Sequence, residues 1–325
     1  MEGSSLMKRS FYFVKGMALM LILTVCIMWT NRILLPKYTS SDGWPTTSTF
    51  LKFYDLEKDS VDVLFLGSSH MAAAVNPIQL GEEFGIRAYN LSSEQQNLFV
   101  SYYWLKEALR FQKPKKVVLD CYFLERISFQ PLNSEESFIR KSMDYMKWSV
   151  VKREAVDELC SLDSGQSKVS YYLTNIRFHE RWKNLTKSDF ASYKEIADHD
   201  GLNGYKRLTQ KYGEEDYMPI VDGADQTMRA FADPMGTYLD KIRTLCSKND
   251  IEMILIMTPY FYEDAGLHNA ISAYARENQI AFYDFNEENL YCAIDYNFRD
   301  DNCEKSHVNE NGASKITSYL GRILY

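Results

Sequence analysis

Short apolar runs alternate with helical stretches over much of the chain. Runs rich in β-branched, aliphatic or aromatic residues predict buried strands at 61–66, 86–91, 116–119, 252–257 and 280–284. Apolar positions at helical spacing predict helices at 100–110, 235–249, 271–278 and 309–324. Alternating strands and helices are typical of parallel crossover units. The pattern therefore predicts an α/β fold, a three-layer sandwich with a mostly parallel, flavodoxin-like sheet.

Two stretches interrupt this alternation. Residues 39–60 are polar and contain an Asp42-Gly43 turn, which predicts a connector. Residues from about 125 to 230 are polar, aromatic and helix-leaning, with breaks near 163–165 and 198–204. We expect this second stretch to be a helical insertion or cap between the third and fourth core strands. The α/β domain itself is expected to cover residues 61–325.

The N-terminus contains an apolar segment at 11–35 that is uncharged from 16 to 30. This is close to the ~20 residues that span a bilayer. No small-residue cleavage site follows it, which favours a retained signal anchor over a removable signal peptide. Lys8, Arg9 and Lys15 place the preceding side in the cytoplasm by the positive-inside rule. We therefore expect residues 1–38 to be a cytoplasmic tip and transmembrane helix, held in the lipid bilayer through 11–35. The protein would then be a single-pass cell-membrane protein whose body lies outside the cytoplasm.

Composition narrows the function classes. The 325 residues are 46% hydrophobic and 25% charged, as in globular proteins. Residues 39–325 carry 32 basic and 43 acidic side chains, which argues against nucleic acid as a partner. Five cysteines lie outside the apolar segment, an odd number that excludes a fully paired framework. Cys292 and Cys303 either pair across a short loop or remain free thiols. No histidine or cysteine spacing indicates zinc, and no metal or cofactor is expected.

The first candidate for chemistry is the tetrapeptide Gly67-Ser68-Ser69-His70, directly after the first strand. A serine where a parallel strand ends and a helix begins has a free backbone N–H and a favourable helix dipole for a developing oxyanion. The alternative is an ordinary turn with a helix-capping serine.

The second candidate lies 238 positions later, just before the C-terminal helix. Glu304 stands three residues before His307, close enough to bind the ring Nδ1–H while Nε2 faces a serine. The alternative is a solvated loop histidine beside a charge. A serine turn after the first strand together with this pair favours serine-based chemistry.

These segments resemble the SGNH/GDSL hydrolase superfamily. The superfamily has a series of conserved sequence blocks. Residues 66–70 stand in the place of its Gly-Asp-Ser-Leu block, which carries the serine, residues 89–96 lie near its second block, and residues 304–313 match its last block. In particular, the chain resembles the membrane-anchored, extracytoplasmic bacterial branch of this superfamily. That branch looks similar to teichoic-acid D-alanylation and alginate-type O-acetylation proteins. The segment 178–182 (FHERW) also resembles this branch, with no chemistry to assign to it.

The resemblance implies roles for individual residues. Ser69 matches the nucleophile, His307 the general base and Glu304 the acid, with Asp300 or Asp301 as alternatives to Glu304. The expected oxyanion donors are the backbone N–H groups of Ser69 and of the Ser93–Gln95 turn. The residues expected to line the site are His70, Asn90 and Gln96.

The chain also departs from the family pattern. The usual acid is aspartate, the second-block glycine is replaced near Gln95, and Leu119-Asp120-Cys121-Tyr122 stands in place of a Gly-x-Asn-Asp block. The resemblance implies an O-acyl esterase or O-acyltransferase acting on a cell-envelope or exported glycan. The alternative is a non-catalytic module that binds a glycan or a membrane-bound O-acyltransferase partner.

Overall fold

The computed structural model describes residues 2–124, 136–213, 219–220, 227–261 and 265–325. Its centre is a five-stranded sheet in the order β2-β1-β3-β4-β5, with every neighbouring pair parallel. The strands are β1 (Val63–Leu66), β2 (Ala88–Asn90), β3 (Lys116–Asp120), β4 (Glu252–Met257) and β5 (Ala281–Asp284). All five lie where the apolar runs predicted them.

Helices fill most of the remaining described chain. The α-helices are α1 (Glu2–Leu34), α2 (Thr46–Asp55), α3 (Ser69–Ala74), α4 (Pro77–Phe84), α5 (Leu98–Ala108), α6 (Glu136–Met143), α7 (Val150–Leu162), α8 (Lys168–Tyr172), α9 (Asn175–Phe178), α10 (Tyr193–Ala197), α11 (Met235–Lys248), α12 (Gly266–Glu277), α13 (Glu288–Ala293), α14 (Phe298–Asp301) and α15 (Glu310–Leu324). Short 3-10 helices cover Ser40–Asp42, Tyr122–Leu124, His179–Asn184 and Lys187–Phe190.

The sheet is covered on both faces because alternate strand residues point to opposite sides. Leu64 and Leu66 pack in a core with α2, α5, α11 and α12, whereas Val63 and Phe65 pack in a second core with α3, α4 and α15. Such burial on both faces explains why the strands read as continuous apolar runs. The predicted three-layer α/β architecture is confirmed.

The segment at 39–60 differs from the predicted connector. It contains α2, whose Phe50 and Phe53 are buried in the first core. The Phe50 ring stacks on Trp104 with ring centroids 4.1 Å apart. The hydroxyl-rich start of this helix, Thr46–Thr49, made the segment look like a polar linker, yet these side chains are buried as well. The connector prediction is therefore wrong for α2, which is part of the core.

Helices α6 to α10 lie between β3 and β4 in the chain. Their apolar residues, among them Ile139, Val156 and Tyr171, join the same core as α2 and α5. The insertion is thus continuous with one face of the sandwich where it is described. Residues 125–135, 214–218 and 221–226 of the predicted insertion lie outside the described residues.

Helix α1 is the one long apolar helix found in the described chain. The candidate span runs from Arg9 to Leu34, and its most apolar 18-residue window has a mean hydropathy of 2.1 and no buried residue. Side chains from Phe11 to Trp29 are exposed, whereas Ile33 and Leu35 are buried against the domain. The helix is long and apolar enough to cross a membrane, a property it shares with signal sequences.

Candidate active site

The turn between β1 and α3 passes close to the end of β3. A Cβ atom at Gly67 would lie 2.4 Å from the Cβ of Asp120, so only glycine fits there. Ser68 is the N-cap of α3: its Oγ accepts the N–H of His70 at 3.2 Å and donates to Asp120 Oδ2 at 2.8 Å. These bonds fix the backbone that carries the next residue.

Ser69 is the first residue of α3 and is buried. Its backbone N–H has no acceptor within the described ranges, as expected for the first turn of a helix. Its Oγ donates to His307 Nε2 at 2.8 Å. A hydroxyl in this position can lose its proton to the imidazole while the free N–H points to a developing oxyanion.

His307 is held by the loop that precedes α15. Its Nδ1 donates to Glu304 Oε1. Asn309 caps α15 through its Oδ1, and its Nδ2 donates to the carbonyls of Asp300 at 2.7 Å and Asn302 at 3.1 Å. The Cys303 N–H donates to the His307 carbonyl at 2.9 Å.

The two alternative acids bind lysines instead. Asp300 pairs with Lys211 at 3.0 Å, and Asp301 pairs with Lys315 at 2.7 Å. Of the three acids considered, the structure places Glu304 against His307.

The His307 ring lies among aromatic side chains. Its centroid is 5.0 Å from Trp44 and 4.9 Å from His70, and His70 stacks on Tyr122 at 3.7 Å. Burial lowers the pKa of His307 below its usual 6.5, while the nearby Glu304 carboxylate opposes that shift. The imidazole is therefore neutral at pH 7 and free to accept a proton at Nε2.

The predicted oxyanion turn is only partly available. The Ser93 N–H donates to the Gly67 carbonyl at 3.3 Å, so the prediction that it serves an oxyanion is contradicted. Gln95 has a φ of +53°, the left-handed conformation in which glycine is common, and no described residue accepts its N–H. Of the donors predicted by residue, the N–H groups of Ser69 and Gln95 have no acceptor among the described residues.

Two residues expected to line the site have structural roles instead. The Gln96 side chain is buried and braces its own loop, with Nε2 bonded to the Leu91 carbonyl at 3.2 Å and to Ser101 Oγ at 3.1 Å. The buried Asn90 Nδ2 donates to the carbonyls of Met71 and Val75, at the C-terminal end of α3. His70 does lie at the site, beside His307.

Sequence reasoning missed two residues at the site. Asp120 is fully buried and accepts bonds from Ser68 N, Ser68 Oγ and Tyr122 N, and burial raises its pKa to about 6. An acid at the end of a buried strand next to the serine turn was the available signal. The sequence did not indicate Trp44 as a site residue, because a single aromatic residue in a polar stretch belongs to no periodic pattern or motif.

A second serine–histidine–aspartate group lies on α12 and β5. His268 Nδ1 bonds Asp284 Oδ2 at 2.8 Å, and Ser272 Oγ lies 3.4 Å from His268 Nε2. Ser272 is inside α12, where helix hydrogen bonding uses the backbone N–H groups. This group therefore lacks the free N–H that accompanies Ser69.

No cluster of three or more histidine, cysteine or acidic residues suited to a metal occurs in the part of the chain that the structure describes. All six cysteines are free thiols, including Cys292 and Cys303.

Comparison with known proteins gives a limited structural similarity. No protein-family model matches the sequence, and no curated protein matches it. A solved structure of a candidate lipolytic protein of the G-D-S-L family from Desulfitobacterium hafniense DCB-2 is similar over 80% of this chain and 98% of that chain. The TM-score is 0.39 and the sequence identity is 11%. The geometry of the site itself is therefore what bears on activity.

Proposed function

We propose that the protein is a serine acyl-transfer enzyme, an O-acyl esterase or O-acyltransferase. One observation carries the proposal: Ser69 Oγ lies 2.8 Å from His307 Nε2 while Glu304 binds Nδ1 of the same ring. This is the order of contacts that a Ser-His-acid triad requires. The neutral state of His307 at pH 7 matches the role of general base.

The mechanism follows from these contacts. Ser69 Oγ attacks the acyl carbonyl carbon as its proton passes to His307 Nε2, and Glu304 stabilises the imidazolium that forms. The N–H groups of Ser69 and Gln95 stabilise the oxyanion. His307 then gives its proton to the departing alcohol, leaving an acyl group on Ser69. Water or a sugar hydroxyl, deprotonated by His307, removes the acyl group and regenerates the serine.

The proposal includes membrane anchoring through α1. Its most apolar 18 residues have no buried member, which distinguishes it from a core helix of a soluble protein. Its last turn is built into the domain through Ile33 and Leu35, which favours retention of the helix over cleavage. With Lys8, Arg9 and Lys15 on the cytoplasmic side, the domain would face outward.

The substrate class comes from the family resemblance. An O-acyl group on a cell-envelope or exported glycan fits an outward-facing domain, and a membrane-bound O-acyltransferase would be a fitting donor partner.

A fluorophosphonate probe tests this proposal, because only an activated serine reacts with it. A membrane-impermeant form, added to intact spheroplasts containing the full chain, should label the wild type and Ser272→Ala but not Ser69→Ala. Labelling that appears only after permeabilisation would reverse the orientation while preserving the chemistry. Labelling that survives Ser69→Ala and disappears in Ser272→Ala would move the active serine to α12.

One observation favours a non-catalytic alternative, a module that binds a glycan or a membrane-bound acyltransferase. The Ser93 N–H is already bonded to Gly67, which leaves fewer oxyanion donors than the sequence predicts. Absence of labelling in both intact and permeabilised preparations of the folded protein would support this alternative.

A further inference from the structure

The exit of α1 is held firmly by the domain. The last carbonyls of a helix lack intrahelical partners. Here Lys37 Nζ donates to the carbonyls of Ile33 at 3.0 Å and Leu35 at 2.7 Å, and also to that of Arg32. Arg181 donates to the Leu34 carbonyl at 2.7 Å. Two cations thus cap the helix end, where the helix dipole is negative.

Residues 168–194, which we call the collar, surround this exit. They comprise α8, α9, two 3-10 helices and the start of α10. Asn31 Oδ1 accepts the Asn175 N–H at 2.8 Å, and Arg32 donates to the Ala191 carbonyl at 2.8 Å. The collar is therefore fixed at the level where the apolar stretch of α1 ends.

Apolar side chains on the collar are exposed to an unusual degree. Outside α1, eleven large apolar side chains are exposed in the described chain, and five of them fall in these 27 residues. The five are Val169, Ile176, Trp182, Phe190 and Tyr193. Trp182 is 66% exposed, the highest value among the five. Their concentration in one short segment distinguishes them from surface residues that are scattered singly.

A cavity lies between the collar and α1. It has a volume of about 140 Å³, and its walls include Met28, Trp148, Tyr172 and Tyr193. Trp148 is 64% exposed, and its ring lies 6.3 Å from that of Tyr172. Aromatic side chains thus flank the last turns of the apolar helix, the depth at which tryptophan and tyrosine concentrate in membrane proteins.

The collar is also basic. It contains six basic and two acidic residues, whereas residues 39–325 as a whole carry 32 basic and 43 acidic residues. Arg177, Lys183 and Lys187 are exposed. Positive charge next to exposed aromatic groups matches an anionic lipid surface.

We propose that the collar is an interfacial membrane-binding surface, a proposal that rests on α1 being a membrane anchor. Its exposed aromatic side chains lie in the boundary between headgroups and acyl chains, and its basic side chains bind the phosphates of anionic phospholipids. The segment 178–182 then has a physical role. Phe178 packs against the core, Arg181 caps α1 and Trp182 enters the lipid.

Lipid-dependent fluorescence tests this in the full chain, placed in nanodiscs that contain phosphatidylglycerol and no other protein. The emission from each tryptophan is the difference between the wild type and its Trp→Phe variant. Brominated lipid should quench the Trp182 and Trp148 emission, and aqueous iodide should leave most of it. Trp29, whose side chain on α1 is 58% exposed, is the reference for lipid contact, and the buried Trp104 is the control that neither quencher reaches.

Two outcomes would overturn the proposal in different ways. If brominated lipid quenches Trp29 while iodide quenches Trp182 and Trp148, the anchor stands and the collar lies in water, free for a protein partner. If brominated lipid quenches none of the three, the anchor itself fails and the collar proposal fails with it. Lys183→Glu and Lys187→Glu should reduce the quenching of Trp182 by brominated lipid, whereas Lys248→Glu, exposed outside the collar, should not.

Discussion

The two halves of the proposed triad differ in how they are held. Ser69 is buried on a turn that is attached to β3 by the hydrogen bond from Ser68 to Asp120. Position 67 of this turn has room only for glycine. Glu304 stands on a loop with 58% of its side chain exposed, while the side chain of its partner His307 is 14% exposed. The serine is thus positioned by the core, and the acid is positioned largely by its own contact with the histidine.

This difference affects the energetics of each half. An exposed carboxylate interacts with a histidine through a medium that solvent strongly screens, so its contribution is smaller than that of a buried acid. Solvent screening does not reduce the contribution of a buried serine on a fixed turn. We therefore expect the site to depend strongly on Ser69 and more weakly on Glu304.

The largest effect is expected for Ser69→Ala. Removal of the nucleophile should lower kcat for a model ester by about three orders of magnitude or more, because the other triad members cannot act without it. Steady-state kinetics on the full chain would measure this, with Ser272→Ala as the matched control near the wild-type rate. Equal loss in both variants would contradict the assignment of Ser69.

Glu304→Gln should have a smaller effect than Ser69→Ala. Loss of a buried triad acid costs about 10⁴-fold, and solvent around Glu304 should reduce that cost to roughly 10²-fold. Asp300→Asn is the control, since Asp300 binds Lys211 and should leave kcat almost unchanged. If Asp300→Asn lowers kcat more than Glu304→Gln does, Glu304 is not the acid of the triad.

The pH profile should sharpen the same comparison. Because burial lowers the pKa of His307, kcat/KM should hold at neutral pH and fall only below pH 6.5. Glu304 and Glu94 favour the protonated ring and raise its pKa, so Glu304→Gln should move the midpoint to lower pH. A midpoint above 6.5 in the wild type, or an upward shift in the variant, would contradict this account.

The sequence predicted β1 to β4 well because these strands are largely buried on both faces, and such burial produces apolar runs. The edge strand β5 is only partly buried, yet its sequence is still mostly apolar. The sequence also predicted the Glu304–His307 contact, since the two residues lie within one turn of the same loop. It missed contributions that depend on tertiary approach. Trp44 reaches His307 because α2 packs into the core, and the Ser93 N–H meets Gly67 because two strand ends lie side by side. Neither approach leaves a periodic mark on the sequence.

The smallest effect on activity is expected for Ser68→Ala, because Ser68 supports the turn that carries Ser69 and does not itself contact His307. The change removes the N-cap bond to His70 and one of the bonds to Asp120, which should destabilise the domain by about 1–2 kcal/mol. Activity should fall by less than about tenfold, because the Ser69–His307 contact remains. A loss as large as that of Ser69→Ala would instead make Ser68 the nucleophile.

Stability measured against pH isolates the bond from Ser68 to Asp120. Burial raises the folded-state pKa of Asp120 from 3.8 to about 6, so its contribution to stability is complete below pH 3.8 and is lost as pH rises through 6. The Ser68 hydroxyl lowers that pKa, and its loss should raise it further. The deficit of Ser68→Ala should therefore be larger at pH 8 than at pH 5, measured as the difference in Tm from the wild type in one detergent. An equal loss of Tm at both pH values would mean that Ser68 supports the turn only as the N-cap of α3. The contact between the serine turn and β3 would then not depend on the charge of Asp120.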